Sequence, residues 1–77
     1  VWLLNDDFTP MDFVVEILCT IFDKAPGIAE NITMRVHRSG RAVAGIYSFD
    51  IAHSKAEKAM RRAREEQFPL RLEVTED

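Results

Sequence analysis

Apolar residues crowd the start of the chain, then fall into three stretches of helical period and two that read as strands. Val1 to Leu4 is apolar throughout, the pattern of a short strand covered on both faces. The polar turn Asn5-Asp6-Asp7 separates it from Thr9-Pro10. There Thr9 suits an N-cap, Pro10 the first helical position, and Asp12 the first turn. Met11, Val14, Val15, Leu18 and Phe22 recur at helical spacing, with Asp12, Glu16 and Asp23 off that stripe. Lys24-Ala25-Pro26-Gly27 ends the helix.

A second helix is predicted from about Ile28 to Ser39. Ile28, Ile32 and Val36 form its apolar line, Ala29, Thr33 and His37 lie beside that line, and Gly40 is placed for a positive φ. Arg41 to Phe49 is rich in Val, Ile, Tyr and Phe and reads as a strand, with Gly45 marking a bulge or a close backbone approach. Ser48 then caps a third helix with Asp50 in its first turn. Ala52, Ala56, Ala59 and Ala63 make a low ridge along one side, opposite Lys55, Glu57, Lys58, Arg61, Arg62 and Glu65. Gln67-Phe68-Pro69 stops that helix, Leu70 to Val74 alternates as a half-buried strand, and Thr75-Glu76-Asp77 is a tail expected to fray. The order β-α-α-β-α-β predicts an α+β fold, a three-stranded and mainly antiparallel sheet packed against three helices.

At 77 residues the chain is read as one domain spanning 1–77. A chain this short buries only roughly 60% of its unfolded surface, so shallow surface pockets suit it better than a deep enclosed site. A net charge of -3 and a pI near 5.3 argue against a nucleic-acid module, which carries a basic face. Cys19 is the single cysteine, which excludes an internal disulfide and favours a reducing compartment. No apolar run approaches a membrane span. The abrupt apolar start at Val1 leads us to expect an N-terminal extension ahead of this domain.

The chemistry concentrates in the turn. Asn and Asp favour turns and helix starts for local reasons, and that bland reading covers much of Asn5-Asp6-Asp7. Two carboxylates and an amide at the rim of an apolar surface also suit a small cation attached to something greasy, such as an α-amino group followed by a large apolar side chain. A divalent metal on Asp6, Asp7 and His37 is a third reading, but the spacing fits no EF-hand or zinc pattern. The chain calls for no cofactor. Cys19, between Leu18 and Thr20, reads as a packing residue away from any polar cluster, so no nucleophile–base pair of a hydrolase is legible.

Leu-Asn-Asp-Asp-Phe-Thr-Pro-Met-Asp-Phe-Val (Leu4–Val14), Val-His (Val36–His37), Gly-Arg-Ala-Val-Ala-Gly-Ile-Tyr (Gly40–Tyr47), Ala-His-Ser-Lys (Ala52–Lys55) and Pro-Leu (Pro69–Leu70) together resemble the ClpS adaptor family. The resemblance runs over essentially the whole chain in order. It implies a non-enzymatic adaptor that recognises N-degrons, proteins whose first residue is Leu, Phe, Tyr or Trp, and delivers them to a ClpA-like or ClpC-like AAA+ unfoldase and its protease. It implies a monomer working in a bacterial cytoplasm or a plastid stroma, with no nucleic-acid or membrane partner. The family's α-amino contacts fall on Asn5, Asp7 and His37, with Asp6 and Thr9 near the first ligand peptide units. Its side-chain pocket falls on Leu3, Thr9, Met11, Val14, Thr33, Val36 and Leu70, with Met11 as gatekeeper against β-branched residues. Its ATPase-docking surface falls on Asp50, Ser54 and Lys55, and family members use a flexible N-terminal extension for delivery.

Three departures stand out. Thr33 replaces a large apolar residue, often methionine, which implies a shorter, polar wall and a changed preference among first residues. His53 replaces a common acidic residue, and Ala44 a common cysteine. If His37 accepts from an ammonium it must be neutral, so binding is expected to weaken in mild acid. The competing class is a plain interaction domain whose groove reads an internal peptide or a partner helix. Such a domain would tolerate a blocked N-terminus.

Overall fold

The computed structural model describes residues 1–76. Three short strands, β1 (Trp2–Leu4), β2 (Arg41–Val43) and β3 (Arg71–Glu73), form an antiparallel sheet in the order β2-β1-β3. The helices are α1 (Met11–Thr20), α2 (Pro26–Ser39) and α3 (Phe49–Glu65), so the elements follow the predicted order. Leu3 on the central strand pairs with Ala42 and Leu72, and all three are buried. Side chains alternate between faces along a strand, so Trp2 and Leu4 point the other way, with Arg41, Val43, Arg71 and Glu73 as rung partners. Those four partners are exposed. β1 is therefore covered on one face, not both. The outer face shelters Trp2 in another way: the Arg41 guanidinium lies 4.5 Å from its ring centre, and its indole N–H donates to Thr75 Oγ1 at 3.1 Å. Of the tail expected to fray, Thr75 is thus tied down, Glu76 is exposed without regular structure, and Asp77 lies outside the described residues.

The core gathers Leu3, Ile17, Leu18 and Phe22, its largest fully buried side chains. On α1 the buried face is Phe13, Val14, Ile17 and Leu18, rotated from the predicted stripe. Two facts account for this. Met11 is the first residue of the helix and remains 44% exposed, and the helix stops at Thr20, so Phe22 reaches the core from the connection after it. Phe13 instead meets Phe68 edge to face, with ring centres 4.9 Å apart. Helix α2 starts two residues earlier than expected because Pro26 takes the first helical position. Its buried line is Ala29, Thr33 and Val36, while Ile28 is 54% exposed. Gly40 ends it at φ 89°, with its N–H on Val36 O.

The alanine ridge of α3 is buried at all four positions, and without long side chains it lets the helix lie close against the core. Ser48 occupies the N-cap position without a side-chain cap bond. The far end of α3 closes with paired bonds, Gln67 N–H to Arg64 O and Phe68 N–H to Ala63 O, at 3.0 and 2.8 Å. That is the Schellman pattern, with Gln67 at φ 63° in the place glycine usually takes. The Arg41–Phe49 stretch leaves the regular ladder after Val43, with one further bond from Ala44 N–H to Val1 O. The chain turns there because Tyr47 folds back to donate from its hydroxyl to Phe22 O at 3.2 Å. A Cβ on Gly45 would lie 2.5 Å from Tyr47 ring atoms, so this glycine marks a close approach. The last strand likewise shortens to Arg71–Glu73 while keeping its alternation.

Gln67 gives a direct stability test. A left-handed residue with a Cβ costs roughly 1–2 kcal/mol, and glycine loses about 0.5–1 kcal/mol through the freedom of its unfolded state. Gln67→Gly is expected to raise stability by about 0.5–1 kcal/mol, read as a higher urea midpoint at unchanged slope. Gly45→Ala should lower stability by about 1–3 kcal/mol through overpacking against Tyr47.

Candidate binding site

Between β1 and α1 the chain must reverse within a few residues, and Asp6 organises the turn. Its Oδ1 accepts from the backbone N–H groups of Phe8 and Thr9 at 2.8 and 2.7 Å, and its Oδ2 accepts from Thr9 Oγ1 at 2.7 Å. Thr9 is therefore not the N-cap. That position belongs to Pro10, whose carbonyl accepts from Val14 N–H. A carboxylate two and three residues ahead of free N–H groups is the better acceptor, so it takes both of them and the threonine hydroxyl as well. The other end of the turn is fixed by Asn5 N–H donating to Gly40 O at 2.9 Å, which ties the loop to the end of α2.

This arrangement puts a cavity of about 190 Å³ at one end of the sheet, lined by Leu3, Leu4, Asn5, Asp6, Asp7, Thr9, Met11, Val14, Thr33, Val36, His37 and Leu70. Every residue assigned by resemblance to the amine contacts or the side-chain pocket lines this one hollow. Leu4 joins them unpredicted, since nothing in a uniformly apolar strand distinguishes it. The walls come from rigid elements: Leu3 from the central strand, Val14 from α1, Thr33 and Val36 from α2, all buried, with Leu70 buried beside β3. His37 follows Thr33 by one helical turn on α2, which brings both to the same side. Met11 is half-exposed, consistent with a place at the mouth. Phe8 in the turn is 79% exposed and outside the lining.

The polar groups of the lip divide sharply. Asp6 spends both carboxylate oxygens on the turn, whereas the side chains of Asn5, Asp7 and His37 make no hydrogen bond or ion pair with any described residue. Thr33 is also spent. It is 4% exposed and its hydroxyl donates to Ala29 O at 2.8 Å. The expectation of a polar wall is therefore corrected: with its hydroxyl turned into the helix, Thr33 lines the cavity as a short wall of largely apolar character. Among the described residues, no group of three His, Cys, Asp or Glu side chains is placed to hold a metal ion.

Asp50, Ser54 and Lys55 line a second, shallower hollow of about 430 Å³ between the end of α1 and the start of α3, with Thr20, Ile21, Asp23, Ile51 and Lys58. The two hollows share no residue. One uses Met11 at the start of α1 and the other Thr20 and Ile21 at its end, roughly 15 Å further along the helix axis. The Lys55 ammonium is turned inward: it donates to Ile21 O at 2.7 Å, lies 3.6 Å from Asp23 Oδ2 and sits 5.0 Å from the Tyr47 ring centre. Burial, and then the Asp23 carboxylate, raise the Tyr47 phenol above its ordinary range. Lys55 thereby holds the α1–α2 connection, with Asp23 in a left-handed turn at φ 56°. Sequence reading missed Asp23, whose only signal is its distance from the apolar stripe.

Fold and hollow together define a small α+β protein with a polar-lipped apolar cavity at one end of its sheet. Known proteins share that fold. Residues 1–73 match the family described as ATP-dependent Clp protease adaptor protein ClpS. The ATP-dependent Clp protease adapter protein ClpS of Acetivibrio thermocellus is 53% identical over 68 residues, covering 88% of this chain and 69% of that protein. Its counterpart in Treponema denticola is 49% identical over 72 residues, 94% of this chain and 71% of that one. The structure of Agrobacterium tumefaciens ClpS2 bound to L-phenylalaninamide superposes with a TM-score of 0.88 at 38% identity, covering 91% of this chain and 84% of that one. This chain belongs to the ClpS family.

The turn itself is testable without any ligand. Asp6→Ala removes the acceptor of three hydrogen bonds and is expected to cost about 1–2 kcal/mol in denaturant unfolding, the scale of a lost helix cap. Asp7→Ala, which removes no such bond, should move stability by less than about 0.5 kcal/mol.

Proposed function

We propose that this chain captures the first residue of a protein bearing a free α-amino group and a bulky apolar side chain, and brings it to a Clp-family AAA+ unfoldase. One observation carries the reading: three polar side chains, Asn5, Asp7 and His37, have no partner among the described residues and stand on the lip of one apolar cavity. An ammonium has three donors, matched by the amide oxygen, the carboxylate and one imidazole nitrogen. The cavity takes the side chain. Apolar cavities of about 150 Å³ accommodate benzene, so about 190 Å³ suits an aromatic ring or a leucine. L-phenylalaninamide, bound by the Agrobacterium relative, carries a free amine and a benzyl group, the two features required here.

Asn5, Asp7 and His37 hold the amine in this reading. Leu3, Thr9, Met11, Val14, Thr33, Val36 and Leu70 receive the first side chain, with Met11 screening its shape at the mouth. Asp6 acts chiefly through the turn. The hollow at Asp50, Ser54 and Lys55 meets the unfoldase, and its place at the other end of α1 lets both partners bind together. Lys55 contributes there as a clamp on the α1–α2 connection. A bacterial cytoplasm is the compartment we assign, in keeping with the bacterial origin of the named relatives. First residues Leu, Phe, Tyr and Trp are the expected set, and no catalytic step is involved.

Acetylating a Phe-led peptide removes the charge and the three-donor geometry, so its affinity should fall by roughly 100-fold or more, given about 1.5–3 kcal/mol for each charge-assisted bond. Titration calorimetry of the paired peptides checks this. Equal binding would instead establish a domain that reads internal segments.

The short wall at Thr33 predicts a specificity shift. Thr33→Met adds side-chain volume and dispersion contacts, so it is expected to raise affinity for Leu-led peptides severalfold and to lower relative affinity for Trp-led ones. An unchanged rank order and unchanged affinities across Leu-, Phe- and Trp-led peptides would reject a role for this position in selection.

A further inference from the structure

The last rung of the sheet lies against the cavity and is basic on its outer face. Leu4, which lines the cavity, pairs with Arg41 on one side and with Arg71 on the other. Directly paired residues in an antiparallel sheet share a face, so the two arginine side chains leave the sheet on either side of Leu4, on its exposed face. Each also follows closely on a part of the site. Arg41 comes after Gly40, whose carbonyl holds Asn5 N–H, and Arg71 comes after the cavity residue Leu70.

Neither arginine has a carboxylate within ion-pair distance among the described residues, although the chain as a whole carries a net charge of -3. Arg41 is held in place by stacking on Trp2, 4.5 Å from the ring centre. Stacking occupies the face of a guanidinium and leaves its N–H edge to donate. Glu73, an acidic residue on this face, pairs with Trp2 two rungs further from the cavity.

We propose that Arg41 and Arg71 select the stretch of substrate that follows the captured first residue, favouring Asp or Glu at its second to fourth positions. This rests on the amino-terminal reading given above. The reach is adequate: strands pair at about 5 Å, and an extended chain covers roughly 3.3–3.6 Å per residue. Two or three residues beyond an amine held at Asn5 therefore cover roughly 7–11 Å, more than the spacing between Leu4 and either arginine's strand. Asp6 and Asp7 oppose the preference from the same lip. Asp6 is hydrogen-bonded within its own turn and Asp7 faces the ammonium in that reading, so both negative charges have local partners, whereas neither arginine has a carboxylate partner among the described residues.

The test is a fluorescence anisotropy panel of C-terminally labelled peptides beginning Phe-Gly-Gly, Phe-Asp-Asp and Phe-Lys-Lys, with acetyl-Phe-Asp-Asp as a control. The acidic peptide should bind about three- to tenfold more tightly than the basic one, the scale of one or two exposed ion pairs. Raising salt to about 0.5 M should shrink that ratio. In the Arg41→Gln/Arg71→Gln variant the ratio should fall to near one, while affinity for the neutral peptide changes less than about twofold. A ratio that survives both substitutions, or that is absent from the parent protein, overturns the proposal while leaving capture of Phe-Gly-Gly intact. Tight binding of the acetylated acidic peptide would overturn it too, making the sheet face a docking site independent of the cavity. Failure of Phe-Gly-Gly to bind at all would remove the amino-terminal reading and this one with it.

Discussion

The grip of one carboxylate on its own turn decides what this protein can offer a ligand. Asp6 takes two backbone N–H groups and a hydroxyl, and so fixes the path from the central strand into α1. With that path fixed, the side chains of Asn5 and Asp7 stand at the rim with no partner among the described residues. The division follows from geometry, since an aspartate reaches N–H groups two and three residues ahead. Only the middle residue of Asn5-Asp6-Asp7 has Phe8 and Thr9 at that offset. Three similar polar residues thus acquire different duties, one structural and two available to a guest.

The remainder of the fold supplies walls and separation. A three-residue central strand with partners on both sides is a rigid floor for Leu3, and the short side chains of the α3 ridge let that helix lie close to it. Helix α1 then works as a spacer, its first turn at the cavity and its last at the second hollow. Lys55 and Tyr47 both fasten the segment after α1, through the carbonyls of Ile21 and Phe22. An ammonium so engaged is a poor candidate for the dominant contact with a partner, because leaving those acceptors would carry its own cost. Its evident role is to hold the Asp23 loop in place.

Periodicity carried the element order and the alanine ridge, because a stripe of small residues at helical spacing has one economical packing. It placed the α1 and α2 stripes about one residue off. On α1 Phe13 and Ile17 face the core together with Val14 and Leu18, while Val15 is only partly buried, and pattern alone cannot choose among adjacent apolar positions. Tertiary packing made that choice through Phe68, some fifty residues away in the chain. The Arg41–Phe49 strand was overread for a similar reason. Its β-branched and aromatic content signalled a strand, while the departure after Val43 depends on Tyr47 reaching Phe22, a contact no local pattern encodes. The cavity was legible only through family resemblance. Its lining comes from three separate stretches of the chain, 3–14, 33–37 and position 70, and composition gives no means of bringing Leu3, Thr33 and Leu70 together.

A cavity this small also bears on how tightly such a protein should hold its guest. Burying one leucine or phenylalanine side chain is favourable by roughly 1.5–3 kcal/mol, and association itself costs at least about 4 kcal/mol. Apolar burial alone therefore leaves no useful affinity, and a greasy side chain without an amine passes by. An amine without a side chain fares little better, because three donors at a wet rim compete with water for the same acceptors. Affinity appears only when both features arrive on one residue, which makes the site a conjunction detector. The same arithmetic keeps the complex releasable, since apolar burial is confined to the first side chain. For a protein that must pass its cargo to another machine, a shallow cavity is thus an asset, and a deeper one would improve capture at the expense of release.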